Sequence, residues 1–567
     1  MYKYWGRVML EVSNGEMSTL TLDHHGVVAG ICKELRIAER VDGKLKPHAE
    51  RKVSPGQAVV AMIINGLGFT NRRLYLSHQF FANKPIDVLL GTDLKAEDIT
   101  DYTLGHTLDD IYTYGSSKLF ADIGFAVALE HNLLGSNIHL DTTSISVNGK
   151  YNNQNVEETK VVNITHGYSK DMRSDLKQFV LSLAVSGASN LPLFMEVLDG
   201  NSSDKSSFHE SIKKVDEFKA QIDLCHEFKW VADSALYTAD KLLQSKHLWL
   251  TRVPENIKEA SELVGIADSK ITWEVYNGEY KFAAYDSTYG GMRQRWLLVF
   301  STHAYEREKK TLEKQLVKKD VELEKALWHL GNEMFACEKD AKSALKSLAK
   351  KFKLHDVNGE VEAIYKYSKP GKPKETDTKT LIGYKLVATF KRNSSLIEQI
   401  QNSKGRFILA TNDLDKEAYP NTAMLKEYKE QQGVEGGFRF IKDPWFMVDS
   451  VFLKSPKRIE ALMMVMTLCL LVYNFAQHRV RESLKQNDDT LPNQLDKKVQ
   501  NPTLRWIFQL MEGVGIVHMV IDSANNQIKR LVTNLTQLRQ RILYHCGQGV
   551  CQMYGLIYEN LRLSLGM

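Results

Sequence analysis

The sequence predicts an α/β core that is interrupted by a β-rich and helical insertion and flanked by helical modules at both ends. Three observations predict this arrangement. Residues Asn137–Val147 alternate between apolar and polar side chains as a strand does, and further strand-like runs follow. Apolar segments with helical spacing occupy both ends of the chain. A region of strand-like runs and long charged helical patterns separates the two parts of the core.

The chain is too long, at 567 residues, for a single hydrophobic core, so several domains are expected. We divide it into five segments: a helical N-terminal head at 1–118, the first part of the core at 119–255, the insertion at 256–405, the second part of the core at 406–481, and a helical C-terminal module at 482–567.

Composition is that of a soluble globular protein, with 43% hydrophobic and 25% charged residues. The net charge of +5 does not by itself indicate a nucleic-acid ligand, so any basic surface would have to be local. The six scattered cysteines suit a reducing cytosol, and the chain shows no signal-peptide pattern. The most apolar run, Ala461–Tyr473, is shorter than the roughly 20 residues of a membrane span. We therefore expect a cytoplasmic protein in which this run is a buried core helix.

The N-terminal head contains a clear helix start. Ser54 is a typical N-cap residue, and Pro55 favours the first helical position. Downstream of this helix stand Arg72 and Arg73, which could contact DNA phosphate if the head is a DNA-binding module. A plain helical packing domain fits the same pattern, and the sequence leaves both interpretations open.

The core follows as a series of strands and helices. After the apolar helix Leu119–Leu134, the predicted order is three strands that can form a meander, then a helix, a strand, a further helix and a last strand. This order is that of an α/β sandwich of the ribonuclease-H type. The elements with defined bounds are the strands Asn137–Val147, Gln178–Ser186, Leu191–Leu198, Phe228–Ala235 and His247–Pro254, and the helix Asp204–Ala220.

The insertion mixes strands with charged helices. Ile271–Tyr285 and Arg293–Ser301 are strand-like, and Tyr305–Lys353 is predicted as one long helix or a helix pair with an amphipathic stripe. Ser368–Lys379 has the composition of a flexible basic loop. Phe407–Thr411 returns to a strand and leads back into the core.

The segment Tyr428–Lys442 is predicted to be a helix that carries polar groups on one face. At about 100° per residue, Tyr428, Gln431, Glu435 and Lys442 fall within an arc of roughly 60°. That face offers a hydroxyl, an amide, a carboxylate and an ammonium, which suits phosphate or metal better than a core. Three glycines in the helix each cost about 1 kcal/mol relative to Ala. They are tolerable where another group approaches the backbone closely.

Two aspartates are predicted to converge with Glu435. Asp141 lies in the first core strand, and Asp233 lies near the end of the fourth. Carboxylates on separate elements at one end of a sheet provide the oxygen ligands that Mg²⁺ prefers, and two such ions can promote phosphoryl transfer. The chain has 69 acidic residues, however, and an aspartate in a strand is more often a cap or part of a salt bridge.

Local motifs around these residues resemble the DDE transposases of bacterial insertion sequences. The resemblance is to the branch with a Y-x2-R-x3-E-x6-K signature and a β-rich insertion before the glutamate. It covers roughly residues 17–480. The segments that carry it are Leu140–Thr143, Ala232–Ala235, the series Tyr428, Gln431, Glu435 and Lys442, the tracts His166–Gln178 and Gly200–Asp204, and Leu22–Leu35 and Ala61–Phe69 in the head.

This resemblance implies the movement of a DNA element by a cut-and-paste or copy-type reaction. Asp141, Asp233 and Glu435 would bind the catalytic Mg²⁺, for which Mn²⁺ would substitute. Tyr428 and Lys442 would contact DNA phosphate near the cleaved end. The partners implied are double-stranded DNA, at the element's inverted-repeat ends and at the target, and a second copy of the chain in a synaptic homodimer.

Three positions implied to contact DNA have competing interpretations. Gln431 stands where the signature has Arg, and a neutral amide cannot form a charged bidentate contact with phosphate. Trp273 and Trp296 are the candidates for stacking on a flipped base, although a tryptophan in a strand is more often a core residue.

Two alternative functions remain open from the sequence. The chain could be a ribonuclease-H-type metal nuclease that does not integrate DNA. It could also be a catalytically silent DNA-binding protein derived from a transposase. Short inverted repeats bordered by direct repeats in the flanking DNA would favour the transposase.

Overall fold

A computed structural model gives the structure of the chain. The residues that it describes are 17–46, 50–69, 76–91, 93–151, 161–187, 189–238, 246–367, 378–443, 453–522 and 527–566. It is a mixed α/β protein with a large mixed sheet. The chain divides into two compact units. The first takes 1–241, 245–249 and 426–567, and the second takes 242–244 and 250–425.

The N-terminal part of the first unit is mainly helical. It comprises strand β1 at Met17–Thr21 and helices α1 at His25–Glu34, α2 at Ile37–Asp42, α3 at Pro55–Gly66, α4 at Ser77–Phe81, α5 at Ile86–Leu89, α6 at Asp101–Tyr114 and α7 at Ser116–Glu130. The predicted cap of α3 is confirmed. The Ser54 hydroxyl accepts a hydrogen bond from the Gln57 N–H, and the Gln57 side chain accepts one from the Ser54 N–H.

The first unit contributes the predicted meander to the large sheet. Its elements here are strands β2 at Asn137–Val147, β3 at Lys177–Ser186 and β4 at Pro192–Leu198, helix α8 at Asp204–Gln221, and strand β5 at Lys229–Ala232. The strand order is β4-β3-β2-β5. The meander strands are antiparallel, and β5 runs parallel to β2. The sequence therefore predicted these strands and α8 to within a few residues. The helix expected between β5 and the next strand falls largely outside the described residues.

The second unit contributes antiparallel strands in the order β6-β12-β9-β8-β7. A long hairpin of β10 and β11, which the sequence did not predict, stands apart from them. The elements are strands β6 at Trp249–Arg252, β7 at Glu274–Val275, β8 at Tyr280–Ser287, β9 at Gln294–Ser301, β10 at His355–Tyr367, β11 at Lys379–Arg392 and β12 at Arg406–Thr411, and helices α9 at Lys258–Val264, α10 at Thr302–Asn332, α11 at Glu338–Ala349 and α12 at Ser394–Ser403. The charged segment is thus a helix pair. Most of the predicted basic loop lies outside the described residues.

The chain then passes through α13 at Asn421–Glu430 and returns to the first unit. The remaining elements are helices α14 at Gln432–Ile441, α15 at Pro456–Gln486, α16 at Leu504–Leu510, α17 at Gln537–Cys546, α18 at Gln548–Met553 and α19 at Tyr558–Leu565, and strands β13 at Leu491–Pro492, β14 at Lys498–Val499, β15 at Gly515–Asp522 and β16 at Gln527–Thr533.

The prediction that both terminal modules are helical was wrong in one respect. β1 pairs antiparallel with β15, which pairs antiparallel with β16, so strands from the two ends of the chain form one small sheet. The reason for β1 is physical: its partner lies almost 500 residues away, so no hairpin pattern next to it in the sequence marks the strand.

Helix α15 is the central core helix of the first unit. Its length and composition alone would allow it to cross a membrane, but 83% of its most apolar window is buried inside the protein. It packs against α3, α6, α7, α17 and β4. This is the buried core helix that the sequence predicts.

The pH dependence of stability should report on one carboxyl of α15. Burial raises the pKa of Glu460 to about 7, and the Glu196 carboxylate acts in the same direction. The folded chain therefore favours the protonated form. The contribution of Glu460 to stability is full below the pKa that this carboxyl has in the unfolded chain, and it is lost as the pH rises towards 7. We expect Glu460→Gln to melt at a higher temperature than the wild type at pH 8, with little difference at pH 4.5. Thermal unfolding across this range would test it, with the exposed Glu210→Gln as control, and parallel pH curves would contradict it.

Candidate active site

The parallel pairing of β2 with β5 places two aspartates side by side. The last register pair is Leu140 with Ala232, and the next residues along the two strands are Asp141 and Asp233. Neighbouring strands lie about 4.8 Å apart, so the two backbones are adjacent at this point. Asp233 continues in an extended conformation beyond β5, and its carboxylate accepts a hydrogen bond from the Ala235 N–H at 2.9 Å.

Asp141 lies close to the ammonium of a lysine. Lys170 Nζ lies 4.0 Å from Asp141 Oδ1. The same ammonium donates to the Thr142 carbonyl at 2.7 Å and to the Thr142 hydroxyl at 3.1 Å. The Lys170 N–H donates to Ser144 Oγ at 2.9 Å. Since β5 ends at Ala232, this part of β2 has no β5 partner, and Lys170 docks on the strand just there.

The predicted helix Tyr428–Lys442 is two helices, because α13 ends at Glu430 and α14 begins at Gln432. Gln431 at the junction is only 8% exposed, and its Oε1 accepts no hydrogen bond from the described residues. Gln431 is therefore buried at the helix junction, and its contact with DNA phosphate stays a prediction. Tyr428 lies half-buried on α13.

Helix α14 presents Glu435 to solvent while its opposite side packs on the sheet. Val434, Phe438 and Ile441 are buried, and α14 packs against β2, β3 and α15. Glu435 is exposed. The glutamate therefore stands on a helix that rests on the strand carrying Asp141.

Lys442 forms the C-cap of α14, and its ammonium contacts both carboxylate oxygens of Asp171, at 2.9 and 2.7 Å. In this structure its partner is thus a carboxylate rather than open solvent. Asp171 follows Lys170 in the chain, so consecutive residues contact the strand of Asp141 and the helix of Glu435. The sequence reasoning missed both residues as site components, although they lie in the tract quoted for the resemblance.

The two tryptophans predicted to contact DNA lie in the second unit. In the second unit, Trp296 is 4% exposed and donates its indole N–H to Gln294, which makes it a core residue that cannot stack on a base without repacking the sheet. Trp273 is half-buried, donates to Asp268, and has the Lys281 ammonium 4.5 Å from its ring centroid. Arg72 and Arg73 lie outside the described residues.

The candidate site meets one requirement of a metal ion, the type of donor atom, but not another, the number of side chains that come together. Carboxylate oxygens are the donors that Mg²⁺ prefers, and Asp141 and Asp233 provide two of them. Over the described part of the chain, however, no group of three or more His, Cys, Asp and Glu side chains could hold an ion. The three carboxylates thus do not form a complete metal centre here. Burial raises the pKa of the C-terminal cysteines Cys546 and Cys551 to about 12, which favours their thiol forms.

The glycines of α14 are explained by its neighbours. A Cβ on Gly433 would lie 1.8 Å from Asn190 Oδ1, and one on Gly437 would lie 3.0 Å from a methyl of Leu470. A Cβ on Gly436 would meet no described atom within 4 Å. The close approach of the Asn190 side chain therefore favours glycine at position 433, and packing is tight at 437, whereas no described neighbour explains glycine at 436.

Comparison with known proteins gives limited information. A family model described as a domain of unknown function (DUF4277) matches residues 17–125. No curated protein matches the chain. Among solved structures, the chain is similar to a piggyBac transposase in a synaptic complex with hairpin DNA, with 10% sequence identity and a TM-score of 0.34 over 88% of this chain and 82% of that chain.

Two alanine substitutions one turn apart should have opposite effects on stability. Gly433→Ala is expected to lower the free energy of unfolding by about 1–3 kcal/mol, because its Cβ collides with Asn190. Gly436→Ala is expected to raise it by about 0.5–1 kcal/mol, because an open helical position favours Ala over Gly. Urea unfolding of each variant would measure both. Shifts in the same direction would contradict the described environment of α14.

Proposed function

We propose that the chain is a DNA transposase of an insertion sequence, with Asp141, Asp233 and Glu435 as its catalytic carboxylates. The observation that carries the proposal is the register of β2 and β5, which makes Asp141 and Asp233 neighbours although 91 residues separate them. Carboxylates on adjacent strands provide the oxygen ligands that Mg²⁺ prefers.

The position of the glutamate helix supports the same proposal. α14 packs on β2 and β3 and exposes Glu435, and Lys442 at its end contacts the segment beside Asp141. We further propose that the strands β4-β3-β2-β5 with α8 are a core of the ribonuclease-H type. The antiparallel meander followed by a parallel strand supports this assignment.

The proposed reaction has two phosphoryl transfers. In the first, a water oxygen forms a bond to phosphorus at the element's end and the bond from phosphorus to the 3′ oxygen breaks, which frees a 3′-hydroxyl. In the second, that 3′-hydroxyl forms a bond to a target phosphorus, and the target's own 3′ oxygen leaves.

The residues of this chain would supply charge and position for that reaction. Asp141 and Asp233 would act from the sheet, and Glu435 from α14. Mg²⁺, or Mn²⁺ in its place, is the ion that these carboxylates would hold, and such an ion supplies Lewis-acid activation when bound. Because both ends of an element must be handled together, we propose a homodimer on double-stranded DNA, acting in the bacterial cytoplasm.

Excision in bacterial cells tests this function. A donor plasmid would carry the gene's flanking ends around a marker, with the protein supplied as wild type, Asp233→Asn or Glu435→Gln. Asparagine at 233 keeps the hydrogen bond to the Ala235 N–H while removing the charge, so the local fold is preserved. We expect marker loss and reinsertion with the wild type, a loss of at least about 100-fold with either variant, and unchanged binding to the ends. Glu210→Gln, which removes an exposed charge on α8, should retain activity.

Each other outcome selects an alternative. Nicking of the ends without joining would favour a nuclease that does not integrate. Binding of the ends by soluble wild-type protein without cleavage or movement would favour a silent DNA-binding protein. Full activity of Glu435→Gln would remove that residue from the site.

A further inference from the structure

The segment Ser169–Asp171, called the brace below, connects the two halves of the candidate site. Its contacts with β2 come from Lys170, and its contact with α14 comes from Asp171. The strand and the helix that it joins are separated by nearly 300 residues of sequence.

We infer that Asp171 is a positioning residue, which holds the Lys442 end of α14 beside β2 and so sets the place of Glu435 relative to Asp141. This inference rests on the proposed function for its consequence in catalysis, but its structural content stands on geometry alone. Asp171 does not need to touch DNA or the reacting atoms to fill this role.

Hydrogen bonds fix the brace on β2 and close the turn from which Asp171 projects. The Lys170 N–H and ammonium both bond to β2, so the backbone beside Asp171 is fixed on the strand at two points. The turn that follows is closed by the Met172 N–H donating to the Ser169 carbonyl and the Arg173 N–H donating to Ser169 Oγ. Asp171 therefore projects from an anchored turn, and its two oxygens share one ammonium.

The position of Lys442 makes the contact useful. It caps the C-terminus of α14, seven residues or about two turns after Glu435. By helical spacing Lys442 lies on nearly the same side of α14 as Glu435. Restraint of that end therefore limits rotation and sliding of the face that carries the carboxylate. The energetic contribution is modest, because the Lys442 and Asp171 side chains are 23% and 44% exposed.

The chain offers a matched control in the same loop. Asp175 is an exposed aspartate that pairs with Arg173, also in the loop, and so bridges nothing to α14. Asp171→Asn and Asp175→Asn make the same chemical change four residues apart. Only the first removes the contact with the glutamate helix.

Hydrogen exchange tests the brace without reference to activity. With Asp171→Asn in the full-length chain, we expect amides of 432–442 to exchange up to about fivefold faster, while those of 461–473 stay unchanged. Asp175→Asn should change neither. The charge swap Asp171→Lys with Lys442→Asp should return exchange to within about twofold of the wild type, because the pair is restored with reversed sign.

Excision separates positioning from a direct DNA contact. Positioning predicts about fivefold lower excision with Asp171→Asn and recovery with the charge swap. If Lys442 instead acts by binding phosphate, Lys442→Asp loses binding to the element's ends both alone and together with Asp171→Lys, and the charge swap does not restore excision. If hydrogen exchange in Asp171→Asn is also unchanged, that result overturns the inference. If the wild type moves no DNA but exchange responds as expected, the proposed function fails and the brace stands.

Discussion

The parallel pairing of β2 with β5 is the constraint on which the candidate site depends. A parallel strand requires a crossover, and here α8 provides it, so the register of four residue pairs decides where positions far apart in sequence meet. A shift of β5 by one residue would turn Asp233 to the other face of the sheet. The early end of β5 also matters, since it leaves Thr142 accessible to Lys170. Strand length and strand register together therefore define the surroundings of Asp141.

Helix α14 illustrates how the core limits a functional surface. Its glycine at 433 admits Asn190, and its apolar side rests on β2, β3 and α15, so the helix can expose Glu435 only in one orientation. α15 is apolar around most of its circumference because it is surrounded by helices and a strand. The long buried helix α15 thus supports the short helix α14, which exposes Glu435.

Much of the core could be predicted from sequence because its signals are local. β2 has the predicted bounds, since apolar and polar residues alternate along it, and α8 differs by one residue at its C-terminus. The break at Gln431 could not be predicted, because that residue keeps helical backbone angles, and the junction differs from a continuous helix in its hydrogen bonds, which run from the Gln431 N–H to the Tyr428 carbonyl and from the Val434 N–H to the Gln431 carbonyl. Nor could the roles of Lys170 and Asp171, whose partners lie 28 and 271 positions away. Hydrophobic periodicity predicts which face of a helix or strand is buried, but it does not predict which distant residue contacts that face.

The small sheet of β1, β15 and β16 has a consequence for how the chain is made. β1 leaves the ribosome before its partner β15, which follows almost 500 residues later. At about 5–20 residues per second, β1 waits roughly 25–100 s for that strand. α1 waits as well, because it packs on α18 and the Tyr554 hydroxyl donates to the Asp23 carbonyl just before it. The region of β1 and α1 is therefore synthesised well before the strand and helix that complete it, and a chain released before them would leave apolar surface of α1 uncovered.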